Sequence, residues 1–372
     1  MSFTYYNPVK IHYNTSLEDT LALISGELPP RILLVTSQGW LMRGISKRIE
    51  SALPSKSIHI ISDISPNPEL AHLQALKAKL SGEQAIIALG GGSVLDSAKF
   101  FAMQGSISAG GGELHINRQS GQGRAQDTQE ARQEQGKEPT TLPLFAFPTT
   151  AGTSSELTQW ATIWDSAARV KYSLSHPALY PQMAAYDMSL FVSLPREVLL
   201  HTTLDSLSHA CEAIWNKNAN PISTHHALHA IELILAHLPR LLGDLGDCVA
   251  RDGLVRASIH AGLAFSNTQT ALAHAISYPI TMESGVPHGL ACSFSLPLLC
   301  ECIIDEAARS TLEPYKAEIA RLFDRLGVST RARDYGLDSA RIEMIFEKLN
   351  ARAKNGLLDI ERAKAGLKSS AK

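Results

Sequence analysis

The chain has 372 residues, 44% of them hydrophobic, and a formal charge of −2. That length and apolar content suffice for two substantial domains. The near-neutral balance removes any electrostatic case for nucleic acid or an anionic membrane surface as a partner.

The five cysteines, Cys211, Cys248, Cys292, Cys300 and Cys302, are odd in number and lack metal-ligand spacing. They read as thiols of a reducing, cytoplasmic compartment. MSFTYYNPVKIHY lacks a basic stretch followed by an apolar one, and no apolar run approaches bilayer length. Neither an export signal nor a membrane span is therefore expected.

In chain order, RILLVT (31–36) has the apolar, β-branched texture of a buried parallel strand. A helical pattern follows in WLMRGISKRIESAL (40–53), then strand-like SIHIISDI (57–64), then the helix ELAHLQALKAKL (69–80) opened by the prolines of SPNPEL. EQAIIALGGGSVLDSAKFFAM (83–103) repeats strand, glycine turn and helix. Such alternation predicts a parallel sheet with helices on both faces. Residues 105–139 are rich in Gly, Gln and charge and nearly empty of large apolar side chains, which predicts a mobile surface insertion. Order resumes at TLPLFAFPTTAGTSSELTQWATIWD (141–165), a strand, a hydroxyl-rich turn and a further strand. After DMSLFVSLPREVL (187–199) the periodicity is helical to the C-terminus, with caps and breaks expected at Pro221, Pro239, Gly253, Pro287 and Pro297. The expected organisation is an α/β domain over 1–195 and an all-α domain over 196–372, with a ligand in the cleft between them.

Three polar constellations stand out against this background. Gly90-Gly91-Gly92-Ser93 ends a strand and opens a helix, where bare backbone N–H groups suit a pyrophosphate, although a plain tight turn reads the same way. Pro148-Thr149-Thr150-Ala151-Gly152-Thr153-Ser154-Ser155 crowds hydroxyls into one loop, as a phosphate or ribose contact or as an ordinary Ser/Thr connection. Asp205 and His209, four apart in LDSLSHACEA, share a helix face, and His274 and His288 follow in AHAISYPITMESGVPHG. Three imidazoles and a carboxylate suit a divalent first-row metal, unless they are common cap and polar-face residues.

GGGSVLDSAK (90–99), FPTTAGTSSELT (147–158), LDSLSHACEA (204–213), GLAFSN (262–267), AHAISYP (273–279) and VPHGLA (286–291), in this order and spacing, resemble the iron-containing (group III) alcohol dehydrogenases. The resemblance runs from about residue 5 to 355. It implies a Rossmann-like parallel sheet joined to a helical domain, the architecture shared with dehydroquinate synthases. It implies metal ligation, by Fe²⁺ or else Zn²⁺, at Asp205, His209, His274 and His288. It also implies NADPH or NADH held by Gly91, Gly92, Ser93, Asp96, Thr149, Thr150 and Thr153, with Asn67 and Lys171 nearby and Phe265 walling the substrate pocket.

The chain departs from the family pattern at three points. Ser37 stands where an Asp commonly receives the ribose hydroxyls, which makes NADPH admissible. Tyr278 replaces a second His four residues after His274, and its hydroxyl becomes the candidate proton donor. GTSSE replaces the commoner GTGSE.

Within the family, AFSNTQTALAHAISYP and GVPHGLACSFSLP most resemble the phosphonoacetaldehyde reductases. That implies reduction of an aldehyde bearing a phosphonate, with Lys171, Asn216, Lys217, Asn267 and Gln269 as candidate contacts for its charge. A short-chain alcohol, diol or semialdehyde is the alternative substrate. A dehydroquinate-synthase-like lyase and a non-catalytic scaffold are the alternatives to a reductase. The expected assembly is a homodimer with a small-molecule substrate.

Overall fold

A computed structural model of the chain describes residues 2–110, 113–117 and 141–372. Six strands form a wholly parallel sheet: β1 (Lys10–Tyr13), β2 (Arg31–Val35), β3 (Ser57–Ile61), β4 (Ala85–Gly90), β7 (Leu144–Pro148) and β10 (Met183–Tyr186). They lie side by side in the order β1-β10-β7-β4-β2-β3. β4 is buried at every position, as a strand covered on both faces must be, and its AIIALG sequence is accordingly an unbroken apolar run. The helices α1 (Leu17–Ile24), α2 (Gln38–Met42), α3 (Ile45–Ala52), α4 (Leu70–Lys77) and α5 (Gly92–Ala102) connect these strands. The single helical pattern read over 40–53 is in fact two helices, parted at Gly44, whose φ of 78° ends the first.

A second sheet has the order β5-β6-β9-β8, from β5 (Ser106–Gly110), β6 (Glu113–Asn117), β8 (Trp160–Asp165) and β9 (Val170–Ser175). Within the insertion expected over 105–139, residues 106–110 and 113–117 are strands. β5 and β6 pair antiparallel over five residues, and Leu114 is buried in the sheet's core. Two short strands in polar, glycine-rich sequence satisfy their backbone through the ladder with few apolar side chains. The remainder of that insertion lies outside the described residues.

From Arg196 onward the chain is helical: α6 (Arg196–Ile214), α7 (Pro221–Gly243), α8 (Cys248–Thr268), α9 (Leu272–Ser284), α10 (His288–Ser293), α11 (Leu296–Glu301), α12 (Glu306–Leu326), α13 (Ser339–Glu347) and α14 (Ile360–Ser370). Pro239 and Gly253 do not break helices as expected; both lie inside one. At Gly253 the reason is packing, because a Cβ there would come within 2.2 Å of the His237 ring. Among the described residues no helix is long and apolar enough to cross a membrane.

The chain divides into two compact units, one of 9–148 with 158–187, the other of 1–8, 149–157 and 188–372. The two short segments join the helices through hydrogen bonds. Asn7 donates to Leu157 O, Tyr5 to Leu263 O, Ser154 to Ser258 O and Ser206 to Gly152 O.

Candidate metal centre and cofactor turns

α6 carries Asp205, His209 and Glu212 at i, i+4 and i+7, one stripe of the helix, all buried. Asp205 Oδ1 lies 3.3 Å from His274 Nε2, 3.7 Å from His209 Nε2 and 3.9 Å from His288 Nε2. His274 comes from the first turn of α9 and His288 opens α10. The structure thus brings all four expected ligands together. Atoms bound to one first-row ion at about 2.0–2.2 Å stand roughly 3–4 Å from one another, and each imidazole lies at that range from the Asp205 oxygen, while His209 is outside the set whose atoms are all mutually close.

Two participants were not anticipated. Glu212, fully buried, accepts from the backbone N–H of Ala271 at 2.8 Å and Ala273 at 2.6 Å, and pairs with His274 Nδ1 at 2.7 Å. One carboxylate caps the start of α9 and fixes the His274 ring with Nε2 toward Asp205. Its signal was the i+7 spacing from Asp205. Cys292, one turn after His288 and fully buried, places Sγ 3.4 Å from Asp205 Oδ1. Asp205, His274, His288 and Cys292 each offer an atom within 4.8 Å of all the others. Reading the cysteines by their mutual spacing concealed this one, because its neighbours are histidines.

The charges follow from this packing. Burial alone would push His274 down, but the charge on Glu212 and the hydrogen bonds to Asp205 and Glu212 outweigh it and raise the imidazole to about 10. Burial pushes His209 down to about 3 against the pull of Asp205. Burial opposes ionisation of Asp205, yet His209, His274 and His288 hold its carboxyl well below the usual range. His274 is thus held cationic between the Asp205 and Glu212 carboxylates, whereas burial keeps His209 neutral.

Packing fixes the rings. Phe265 stacks on His209 at 3.9 Å between centroids and 8° between planes, and His209 stacks on His274 at 4.5 Å. Tyr278 lies parallel to His288, at 7° and 6.0 Å. Gly289 lets α10 approach α6, because a Cβ there would fall 1.8 Å from His201 O.

The threonine turn belongs to the same helical unit. A Cβ at Gly152 would meet the Thr202 backbone at 2.8 Å. Ser154 has a φ of 49°, which explains the glycine more usual at that point of the family pattern; here its hydroxyl, bonded to Ser258 O at 2.8 Å, holds the conformation. Thr149 is buried, and Thr150 and Thr153 are half-buried.

In the other unit, the strand order reverses between β2 and β4, and their carboxyl ends are where ligands of such sheets bind. Ser37 follows β2 as the N-cap of α2, with no side-chain cap bond. Gly91 caps α5, placing Gly92 and Ser93 in its first turn. Thr36 Oγ1 donates to Leu89 O at 2.8 Å and ties the two strand ends. Asp96 accepts from Thr162 N at 2.9 Å. Asn67 is exposed after β3 with a φ of 56°, and Lys171 sits on β9 opposite Trp164.

Two candidate substrate contacts have amides engaged elsewhere. Asn216 is buried, donating to Gln269 O and accepting from Asn218 N. Asn267 accepts from Tyr6 N and donates to Ser266 Oγ. Lys217 is exposed, and Gln269 takes a φ of 68° at the end of α8.

Comparison with known proteins agrees along the chain. The family described as iron-containing alcohol dehydrogenase matches residues 8–188, and its C-terminal counterpart, described as Fe-containing alcohol dehydrogenase family, C-terminal, matches 199–354. The phosphonoacetaldehyde reductase of Streptomyces viridochromogenes is 34% identical over 74% of this chain and 68% of its own. The NAD-dependent methanol dehydrogenase of Bacillus methanolicus is 30% identical over 73% of this chain and 68% of its own. Among solved structures, the sulfoacetaldehyde reductase of Bifidobacterium kashiwanohense in complex with NAD+ superposes with a TM-score of 0.82 at 25% identity, covering 100% of this chain and 99% of that one.

Proposed function

The chain belongs to the iron-containing alcohol dehydrogenase family, and we propose that it reduces a two-carbon aldehyde with an anionic head group, phosphonoacetaldehyde above all, to the primary alcohol with NADPH or NADH. That it is an NAD-dependent alcohol dehydrogenase or aldehyde reductase follows from the family; the substrate and the residue roles are our reading. The observation that carries the chemistry is the cradle in which one oxygen of Asp205 stands within 3.9 Å of three imidazole nitrogens. The head group rests on the likeness to a phosphonoacetaldehyde reductase and to a sulfoacetaldehyde reductase, whose named substrates share an anion beside the aldehyde.

When bound, a divalent ion supplies Lewis acidity at the substrate oxygen and the reduced nicotinamide supplies the hydride. Asp205, His209, His274 and His288 hold the ion, and Glu212 keeps His274 oriented and basic. Fe²⁺ is our first choice for this oxygen- and nitrogen-rich set, with Zn²⁺ as the alternative favoured by the sulfur of Cys292. Phe265, stacked on His209, walls the substrate space and keeps it dry. Tyr278 donates the proton that converts the product oxygen to a hydroxyl, a role we assign because it takes the place of a relay histidine and lies against His288. In the α/β unit, Gly91, Gly92 and Ser93 receive the pyrophosphate at the start of α5, with Asp96, Asn67 and Lys171 beside them. Thr149, Thr150 and Thr153 serve the dinucleotide from the hydroxyl-rich turn. Ser37 leaves room for a 2′-phosphate.

The test is a panel of phosphonoacetaldehyde, sulfoacetaldehyde, succinic semialdehyde, propanal and glyceraldehyde. Each is assayed by NADPH or NADH absorbance, before and after chelation and re-addition of Fe²⁺ or Zn²⁺. Metal-dependent oxidation fastest with phosphonoacetaldehyde is expected. Propanal reduced equally well removes the anionic head group from the reading, and no cofactor oxidation with any aldehyde removes the reductase.

A further inference from the structure

Four of the 14 histidines gather outside the Asp205 stripe: His225, His226 and His229 on α7, and His260 on α8, five residues before Phe265. His226 Nδ1 and His260 Nδ1 are 2.8 Å apart. The contact is a hydrogen bond, and nitrogens held by one tetrahedral ion at about 2.0–2.1 Å stand roughly 3.3 Å apart, so an ion replacing the shared proton needs the pair to open by only about half an ångström. His229 meets His260 edge-on with ring centroids 4.6 Å apart, and its contact to Glu232, at 3.5 Å, is at the limit of a hydrogen bond. Rotation of that weakly held side chain brings a third imidazole to the pair. His225 lies four residues before His229 on the same helix, with its ring 6.1 Å from His226.

The surroundings favour nitrogen ligation. Glu232 has its other oxygen engaged by the Tyr315 hydroxyl at 2.6 Å, and Arg256, one turn before His260, pairs with Asp252 at 3.0 Å. Burial and the neighbouring imidazoles push both His226 and His260 below the usual histidine range, so neither ring is cationic at neutral pH and an ion has only the proton shared between the two Nδ1 atoms to displace. A site poor in free oxygen donors does not suit magnesium or calcium, whereas imidazoles suit zinc, nickel and copper.

We propose that His226, His260 and His229 form a second metal site, for a divalent ion of the zinc, nickel or copper class, which staples α7 to α8. It is separate from the Asp205 centre and independent of the aldehyde chemistry assigned there. Zinc is the probe: the holoenzyme is equilibrated in a zinc buffer, separated from free ion, and its metal content measured. The wild type should carry two zinc ions per chain. The double variant His226→Gln/His260→Gln, whose amides can still hydrogen-bond to each other, should carry one. Asp205→Ala should lose the other ion and keep this one. His229→Ala, at a half-exposed position that leaves the His226–His260 pair intact, should weaken the second ion and guards against a folding defect in the double variant. A single ion in the wild type, or a second ion undiminished in both the double variant and His229→Ala, overturns the site.

Discussion

At the Asp205 cradle a proton and a metal ion compete for the same imidazole. In the ion-free protein His274 stays cationic up to about 10, between Asp205 and Glu212, so uptake of the ion must release that proton and affinity must climb with pH. Glu212 contributes to both sides of this competition, since it makes Nε2 a better ligand and also a better base. Glu212→Gln keeps an acceptor for the α9 backbone but loses the charge. Removing such an outer partner should weaken metal binding about 10–100-fold and flatten its pH dependence, as zinc titrations at several pH values would show; unchanged affinity would make Glu212 a cap and nothing more. A second single-residue question concerns the cofactor. Ser37 caps α2 without a side-chain hydrogen bond, so Ser37→Asp should be tolerated by the fold while setting a negative charge at the end of β2. The ratio of kcat/KM for NADH over NADPH should rise about tenfold, equivalent to roughly 1.4 kcal/mol. An unmoved ratio would place the adenosine ribose elsewhere.

Helices, more than loops, decide whether the ligands converge. α10 presents His288 and Cys292 only because Gly289 lets it lie against the His201 carbonyl of α6. Gly289→Ala forces the two helices apart, an overpacking that costs about 1–3 kcal/mol. It should lower the melting temperature and the metal content together; retention of full metal content would mean that α10 adjusts freely. The α7–α8 pair has its own pH signature. In the fold, burial and then His226, His229, His225 and Arg256 push His260 from 6.5 down to about 4. The unfolded chain therefore takes up this proton first as pH falls. The contribution is complete above about 6.5, is lost progressively down to about 4, and changes no further below. His260→Gln should flatten stability over that window, measured by urea midpoints at stepped pH. An unaltered profile would assign the acid sensitivity to other groups.

For the molecule as a whole, the α/β and all-α classes were legible because buried parallel strands are unbroken apolar runs, as in RILLV and AIIALG, and because the long helices carry their own caps, as Asn220 does for α7. The strands at 106–110 and 113–117 were illegible, since ladder hydrogen bonds leave little trace in composition. The pairing of Asp205 with His209 could be read from helical spacing. Their union with His274 and His288 could not, because it depends on how α9 and α10 pack on α6, and only the family resemblance supplied it. Glu212 and Cys292 escaped for the same reason, their roles being set by neighbours distant in sequence. That dependence has a thermodynamic consequence. A centre assembled from three helices of one compact unit exists only in the folded state, so an ion bound there stabilises the fold by mass action. Held at 100 times its Kd, the ion contributes about 2.7 kcal/mol, or roughly 5–10 °C in melting temperature for a unit of this size. Chelation should remove that increment and re-addition of Fe²⁺ or Zn²⁺ should restore it, with Asp205→Ala showing only the response owed to the ion at His226 and His260, and Asp205→Ala combined with His226→Gln/His260→Gln insensitive to both. A wild-type melting temperature indifferent to chelation, in protein whose metal content has been measured before and after, would mean that the four side chains meet without holding an ion.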